Sequence, residues 1–258
     1  MLKVTNDVIN WIRDYFSGND DGKAIIGISG GKDSTIVAGL LVKALGADRV
    51  IAVMMPNGEQ ADIRDSLEVC NFLNIPRENS FEVNIFDAFM SIKDEISIGG
   101  VHSLLDEHTK KVQNNDIINT NLPSRLRMCT LYTVAALYPN SRVVNTSNYS
   151  ERYIGYSTKW GDGVGDFSPL GHLTVREVLE IGDDLGLPYH LVHKTPSDGM
   201  SGTSDEEKIG FTYDELDKYL LCDGLVAKDV VEKIERLHRM NLHKVQPIPT
   251  FYPKGDEE

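Results

Sequence analysis

The stretch Gly27-Ile28-Ser29-Gly30-Gly31-Lys32-Asp33-Ser34 decides how the rest of the chain is read. Three apolar residues, Ala24, Ile25 and Ile26, lead into it, and a helical apolar pattern over residues 34–45 leaves it. A short buried strand, glycines and then a helix predict a tight βα turn. Glycines let backbone N–H groups approach an anion closely, and a helix N-terminus adds positive potential there. The stretch therefore predicts a phosphate cradle. It is not a Walker A loop, in which four residues separate one glycine from Gly-Lys-Ser/Thr. Here Ile26 stands at the first glycine position and Asp33 follows the lysine.

Outward from the loop, apolar runs alternate with helical patterns. Residues 50–55, Val-Ile-Ala-Val-Met-Met, read as a buried parallel strand, residues 80–85 as a third strand and residues 142–146 as a fourth. Residues 188–192 read as a short fifth strand. Helices are expected over residues 5–17, capped by Thr5, and over 34–45, 61–73 and 121–138. Capping boxes at Thr174–Glu177 and Thr212–Glu215 open two more, and a last helix covers 229–240. Residues 86–115 read as helix, link and helix, and 194–208 as a polar loop. The alternation predicts an α/β fold: a doubly wound parallel five-stranded sheet flanked by helices, one domain over residues 1–258. Ligands of such sheets sit beyond the carboxyl ends of the strands, where the glycine loop lies. The tail over 246–253 is rich in proline and aromatics; it is expected to pack on the body or on a second subunit.

Composition narrows the function classes. With 26 basic and 39 acidic residues the net charge is -13, which argues against a nucleic-acid surface. Cys70, Cys129 and Cys222 are far apart and form no Cys-x-x-Cys, so neither a disulfide framework nor a zinc knuckle is expected; in helical patterns they read as small apolar residues. No apolar run approaches the roughly 18 residues of a membrane span, and the N-terminus lacks a signal-like apolar segment. A cytoplasmic protein that contacts neither membrane nor nucleic acid is expected.

A second block starts where the fourth strand ends. Thr146 closes that strand and Glu151 follows shortly after, while Asp33 lies at the end of the first. Two carboxylates converging on one sheet edge suit Mg²⁺, which prefers oxygen ligands and keeps several waters. Glu151 reads equally well as an acid favoured at a helix start; spacing alone leaves both open.

The residues 29–34, Ser-Gly-Gly-Lys-Asp-Ser, resemble the pyrophosphate loop of ATP-pyrophosphatases, which adenylate an oxygen and release pyrophosphate. More specifically, the chain resembles the ammonia-dependent NAD synthetases. The resemblance rests on that loop, Met55-Pro-Asn-Gly-Glu-Gln60, Asn121-Leu-Pro-Ser-Arg-Leu-Arg-Met128, Asn145-Thr-Ser-Asn-Tyr-Ser-Glu151 and Gly155-Tyr-Ser-Thr-Lys-Trp-Gly-Asp-Gly163. It continues with Lys194-Thr-Pro-Ser197, Ser204-Asp-Glu206 and His243-Lys244, in family order over almost the whole chain.

The resemblance implies roles. Gly27, Ile28, Ser29, Gly30, Gly31, Lys32, Asp33 and Ser34 bind ATP, with Thr146 and Ser197 as further contacts. Asp33 and Glu151 hold Mg²⁺. Arg125, Lys159, Asp166, His243 and Lys244 bind deamido-NAD, and Asp162 stands beside the reacting carboxyl as a catalytic acidic residue with Asp33. A homodimer is implied, with the deamido-NAD site bordering its interface. Glutamine-using members add a glutaminase domain about as large as this chain, so free ammonia, or ammonia supplied by a separate partner, is the expected nitrogen source. One position departs: many members carry an ATP-contacting lysine where this chain has Val175; either another cation, Lys32 or Lys194, substitutes, or the phosphate grip is weaker.

Three lookalikes carry less. Gly161-Asp-Gly-Val-Gly-Asp166 has Asp166 at the third glycine position of a dinucleotide fingerprint, with no strand before it. His190 and His193 lack an obvious third metal ligand. Lys110 and Lys111 read as solvated helix surface. Two other classes share the loop. A tRNA-modifying ATP-pyrophosphatase needs basic surface and usually reactive cysteines; a non-catalytic nucleotide sensor needs neither Glu151 nor Asp162.

Overall fold

The computed structural model describes residues 1–60, 63–99, 115–194 and 204–251. Helix α1 (Lys3–Tyr15) precedes β1 (Ala24–Gly27), and α2 (Lys32–Leu45), β2 (Val50–Met54), α3 (Ile63–Phe72) and β3 (Ser80–Glu82) follow in strict alternation. Then come α4 (Phe86–Gly99), α5 (Asp116–Ala135) and β4 (Arg142–Val143). The rest is helical: α6 (Tyr149–Ile154), α7 (Val175–Asp184), α8 (Tyr189–Val192), α9 (Asp205–Ile209), α10 (Tyr213–Leu221) and α11 (Lys228–Val245).

The described strands form one parallel sheet in the order β3-β2-β1-β4. The chain builds outward from β1 to β3, then crosses back to place β4 on the other side of β1. The crevice between β1 and β4 is thus the switch point, where open α/β sheets bind ligands. Strand residues alternate between two apolar layers. Ala24, Ile26, Val50, Ala52 and Met54 pack with α1, α2, α3 and α7. Ile25, Ile51, Val53 and Val143 pack with Met128, Leu131 and Val134 of α5. Burial on both faces explains why β2 is apolar at every position. A third cluster, Ile154, Val175, Tyr213, Leu216, Val230 and Ile234, ties α6, α7, α10 and α11 together.

The sheet has four described strands, not five. Residues 188–192 form α8, entered through Pro188 and held by hydrogen bonds from the Leu191 and Val192 amides to the Pro188 carbonyl. Leu191 and Val192 are fully buried, so an apolar run too short to show a period packs as a helical turn. The edge beyond β4 is occupied instead by one bridge, Val144 to Phe167. Other boundaries shift. Leu2, not Thr5, stands at the N-cap of α1, and Thr5 is buried inside that helix. Helix α11 runs to Val245, so His243 and Lys244 occupy its last turn rather than lying beyond it. Part of the expected polar loop is α9, with a Ser204–Glu207 capping box. Cys70 is buried as expected, but Cys129 and Cys222 are exposed. Residues 246–251 of the tail are exposed rather than packed on the body, with Phe251 at 89%; residues 252 and 253 lie outside the described residues. No helix among the described residues is long and apolar enough to cross a membrane.

Candidate active site

Gly27 ends β1, and Gly30 turns the loop at φ +75°, a left-handed conformation that L side chains rarely adopt. The loop is tied to α2 by its own hydroxyls. The Gly31 amide donates to Ser29 Oγ (3.2 Å), Ser34 Oγ donates to the Gly31 carbonyl (3.1 Å), and the two serine oxygens lie 3.0 Å apart. Gly31 is the N-cap of α2 and brings no side-chain cap. The first-turn amides of that helix are therefore left for a bound anion.

Asn148 joins this loop to the chain leaving β4. Its side chain caps α6 by accepting from the Glu151 amide (3.0 Å), and its amide nitrogen donates to Asp33 Oδ1 (3.1 Å). Glu151 closes the capping box through the Asn148 amide. Its helix-start role and its place beside Asp33 are thus both true of one residue. Burial, and then the charge of Asp33, push the Glu151 carboxyl up to about 8; Lys32 and the Asn148 amide pull the other way. Lys32 lies 2.5 Å from Asp33 Oδ2 and is only 5% exposed. Burial works against its ammonium, but Asp33, Glu151 and Asp205 together hold its pKa above the ordinary lysine value.

Lys32, Asp33 and Glu151 line a cavity of about 890 Å³. Thr146 and Ser147, Thr158 and Asp162, Lys194, Asp205 and Lys244 line it too. Ser124 and Arg127 reach it from α5. Asp162 is fixed through one oxygen: Ser124 Oγ (2.7 Å) and the Thr158 amide (2.8 Å) both donate to Oδ1. The Asp162 amide donates back to Ser124 Oγ, and its carbonyl accepts from Asn145. Arg127 Nε donates to the Met55 carbonyl; burial lowers its pKa, and Asp162 opposes that. Lys244 donates to the carbonyls of Gly155 (2.8 Å) and Ser157 (2.9 Å), while Lys159 donates to that of His243 (2.6 Å). Two lysines thus latch residues 155–159 to the last turn of α11.

Other expected contacts lie outside the cavity. Arg125 is exposed, its Nε on the Lys159 carbonyl. Asp166 binds Tyr132 Oη and the Val143 amide. His243 is exposed, its Nδ1 on the Met240 carbonyl. Ser197 lies outside the described residues. His193 pairs with Asp183 and His190 with Glu68, and the described residues hold no cluster of three or more metal-binding side chains. Sequence reasoning missed Ser124, Arg127 and Asn148. Helical spacing carried the first two: residues 124 and 127 share a face with the buried Met128 and Leu131, whereas 125 falls with the exposed Cys129 and Tyr132. The Asn-x-x-Glu spacing of 148–151 carried the third.

The profile of the NAD synthase family matches residues 4–254. The chain belongs to the NAD synthase family. An NH(3)-dependent NAD(+) synthetase of Alkaliphilus metalliredigens is 36% identical over 248 residues, 95% of this chain and 96% of that one. Another, of Carboxydothermus hydrogenoformans, is 34% identical over 242 residues, 93% of each. Among solved structures, NMN synthetase from Francisella tularensis gives a TM-score of 0.80 at 31% identity, covering 98% of each chain. The NH3-dependent NAD synthetase from Campylobacter jejuni gives 0.71 at 26%, covering 97% of this chain and 98% of that one. The chain is a ligase of a family that uses ATP as co-substrate to amidate deamido-NAD with ammonia.

One glycine tests the placement of Asp162. A Cβ on Gly161 would lie 2.4 Å from Ser124 Oγ, so Ser124 must leave Asp162 to make room. Gly161→Ala is expected to destabilise the fold by about 1–3 kcal/mol. It should also lower amide formation by about tenfold, short of the ~10²-fold that a full misplacement can cost. A thermal melt and a steady-state assay on the same preparation check both.

Proposed function

We propose that the cavity carries out both half-reactions. The pyridine carboxylate of deamido-NAD attacks the α-phosphorus of ATP, displacing pyrophosphate, and ammonia then attacks the adenylated carbonyl, displacing AMP. The observation that carries this reading is the Asp33–Asn148–Glu151 arrangement beside an uncapped glycine-loop helix. The amides of that helix and Lys32 receive the phosphates, and Thr146 meets the nucleotide from the loop that follows β4. Two carboxylate ligands in a roomy cavity fit Mg²⁺ with its remaining waters, and Asp33 and Glu151 would hold it. When bound, it neutralises charge on the departing pyrophosphate. The chain's main task is to hold two nucleotides in line. Asp162 turns Oδ2, on which no hydrogen bond falls among the described residues, toward incoming ammonium.

We also propose a homodimer. Trp11 (45% exposed), Tyr15 (38%) and Tyr132 (41%) form an aromatic surface with the buried Phe167. Asp166 is bound into that surface through Tyr132 and through Tyr15, which donates to its carbonyl; Arg125 shares the exposed side of α5. A second copy docked there would complete the far half of a dinucleotide site, and the exposed tail is then available to that copy.

A second reading is favoured by the Francisella likeness: the substrate is the mononucleotide acid whose amide is NMN. The amidated carboxyl is the same, and the expected dinucleotide contacts Arg125, Asp166 and His243 lie outside the cavity of one chain. Steady-state rates with ATP, Mg²⁺ and ammonia on each acid decide between them. A kcat/KM higher for deamido-NAD supports the first reading, one higher for the mononucleotide the second, and no pyrophosphate release with either refutes both. A parallel assay with glutamine in place of ammonia is expected to give no amide.

A further inference from the structure

We infer that Asp217 is a positioning residue for the proposed cation site: from α10 it sets, through Ser150, where the Glu151 carboxylate stands. The inference rests on the reading that Asp33 and Glu151 hold Mg²⁺. Ser150 and Asp217 are both buried, at 0% and 1% exposure. Ser150 Oγ donates to Asp217 Oδ1 (2.5 Å) and accepts from the Val175 amide (3.2 Å), while the Arg176 amide donates to Asp217 Oδ2 (2.8 Å). One carboxylate of α10 therefore ties the first turn of α6 to the first turn of α7. Glu151 is the next residue after Ser150, so the proposed metal ligand and its anchor share one turn.

The length of α6 makes this tie matter. A helix of six residues is too short to hold its place by its own hydrogen bonds, so its ties to the body set its position. The Tyr149 amide donates to the Leu173 carbonyl (2.7 Å), and Asn148 reaches Asp33. Asp217 adds a charged tie from the interior. An ionised carboxylate only accepts, so Ser150 has to donate to it, and such charge-assisted bonds are short and strong. The apolar cluster of α6, α7, α10 and α11 already joins these helices. Apolar contact is non-directional, whereas the hydrogen bond fixes where Ser150 stands, and with it Glu151. Asparagine at 217 would keep its oxygen on the Arg176 amide, which can only donate, and turn its NH₂ toward Ser150. The contact of 2.5 Å would then lengthen to about 2.9 Å, and the serine hydroxyl would lose its acceptor.

Titration with Mn²⁺, which like Mg²⁺ suits carboxylate and water ligands, followed by electron paramagnetic resonance without nucleotide, tests this. The proteins are the wild type, Glu151→Gln, Asp217→Asn, Ser150→Ala, the Asp217→Asn, Ser150→Ala double variant, and Tyr219→Phe. The last is the control: it removes the hydrogen bond from α10 to Glu235 of α11 and leaves Ser150 and Asp217 in place. The wild type is expected to bind Mn²⁺ and Glu151→Gln to lose it. Asp217→Asn should weaken binding by about tenfold, the lower end of what loss of an outer partner of a metal ligand costs. Ser150→Ala should weaken it as much, and the double variant no more than either, because the two residues act in series. Tyr219→Phe should lower the melting temperature and leave Mn²⁺ affinity unchanged. The Mg²⁺ concentration for half-maximal pyrophosphate release should rise in parallel with the loss of Mn²⁺ affinity. Unchanged affinity in a folded single variant, additive losses in the double variant, or an equal loss in Tyr219→Phe would each overturn the assignment; if Asp217→Asn does not fold, Ser150→Ala alone decides. A wild type that binds no Mn²⁺, or a Glu151→Gln that binds it equally well, would refute the reading of the cation site instead.

Discussion

Replacing Glu151 with glutamine is expected to lower pyrophosphate release by about 10²–10³-fold, the scale seen when one group that stabilises developing charge is removed. The same variant should be more stable than the wild type when no metal is present. The two effects have one cause. Glu151 sits half-buried beside Asp33, and burial together with that neighbouring charge pushes its carboxyl up to about 8, out of the usual carboxylate range. Between those two values the folded protein keeps a proton that the unfolded chain has released, and stability falls as pH rises through the window. By pH 8 the wild type has lost that contribution, and glutamine, which does not titrate, removes the slope. A melting temperature higher in Glu151→Gln at pH 8 without metal is the expected result, by about 2–4 °C for each kcal/mol. Adding Mg²⁺ and ATP should reverse the order, because only the wild type gains from the cation. A variant that melts lower at every pH, with or without Mg²⁺, would make Glu151 only a helix cap.

That double character shows where sequence reasoning reached and where it stopped. The glycine loop, β2 and the alternation around them were legible because each is a local pattern: an apolar run, a turn residue, a helix period. The capping boxes at Thr174 and Thr212 were legible for the same reason and are present. Glu151 was ambiguous because spacing does not tell whether a helix-start carboxylate also faces a loop more than a hundred residues away; Asn148, bound to both, settles it. Residues 188–192 were misread because five residues cannot separate a period of 2 from one of 3.6, and burial against α2 and α7 decided the outcome. Arg125 drew notice over Arg127 on motif position, whereas the helix face sends only Arg127 to the cavity. What escaped was the geometry of long-range contacts, which no local pattern records.

Asp162→Asn is expected to separate the two half-reactions. The wild-type side chain takes both of its hydrogen bonds, from Ser124 and from the Thr158 amide, on Oδ1. Asparagine keeps an oxygen in that place, so the loop and the reacting geometry persist. What changes is the other end: an amide NH₂ donates where the carboxylate oxygen accepted, and the negative charge beside Arg127 is gone. On the proposed reading, adenylation asks nothing of that oxygen, since its charge develops at phosphates placed near Lys32, Asp33 and Glu151. Amidation does, because ammonium must be attracted, held and relieved of a proton before it attacks. Pyrophosphate release in the variant should therefore stay within a few-fold of the wild type, while amide formation falls by about 10²–10³-fold. Raising the ammonia concentration at higher pH should recover part of the loss, since free ammonia needs neither attraction of its charge nor removal of a proton before attack. A single-turnover experiment that measures pyrophosphate and amide from the same quench decides the matter. Equal loss of both products would place Asp162 in the adenylation step, and an undiminished amide would remove it from the chemistry.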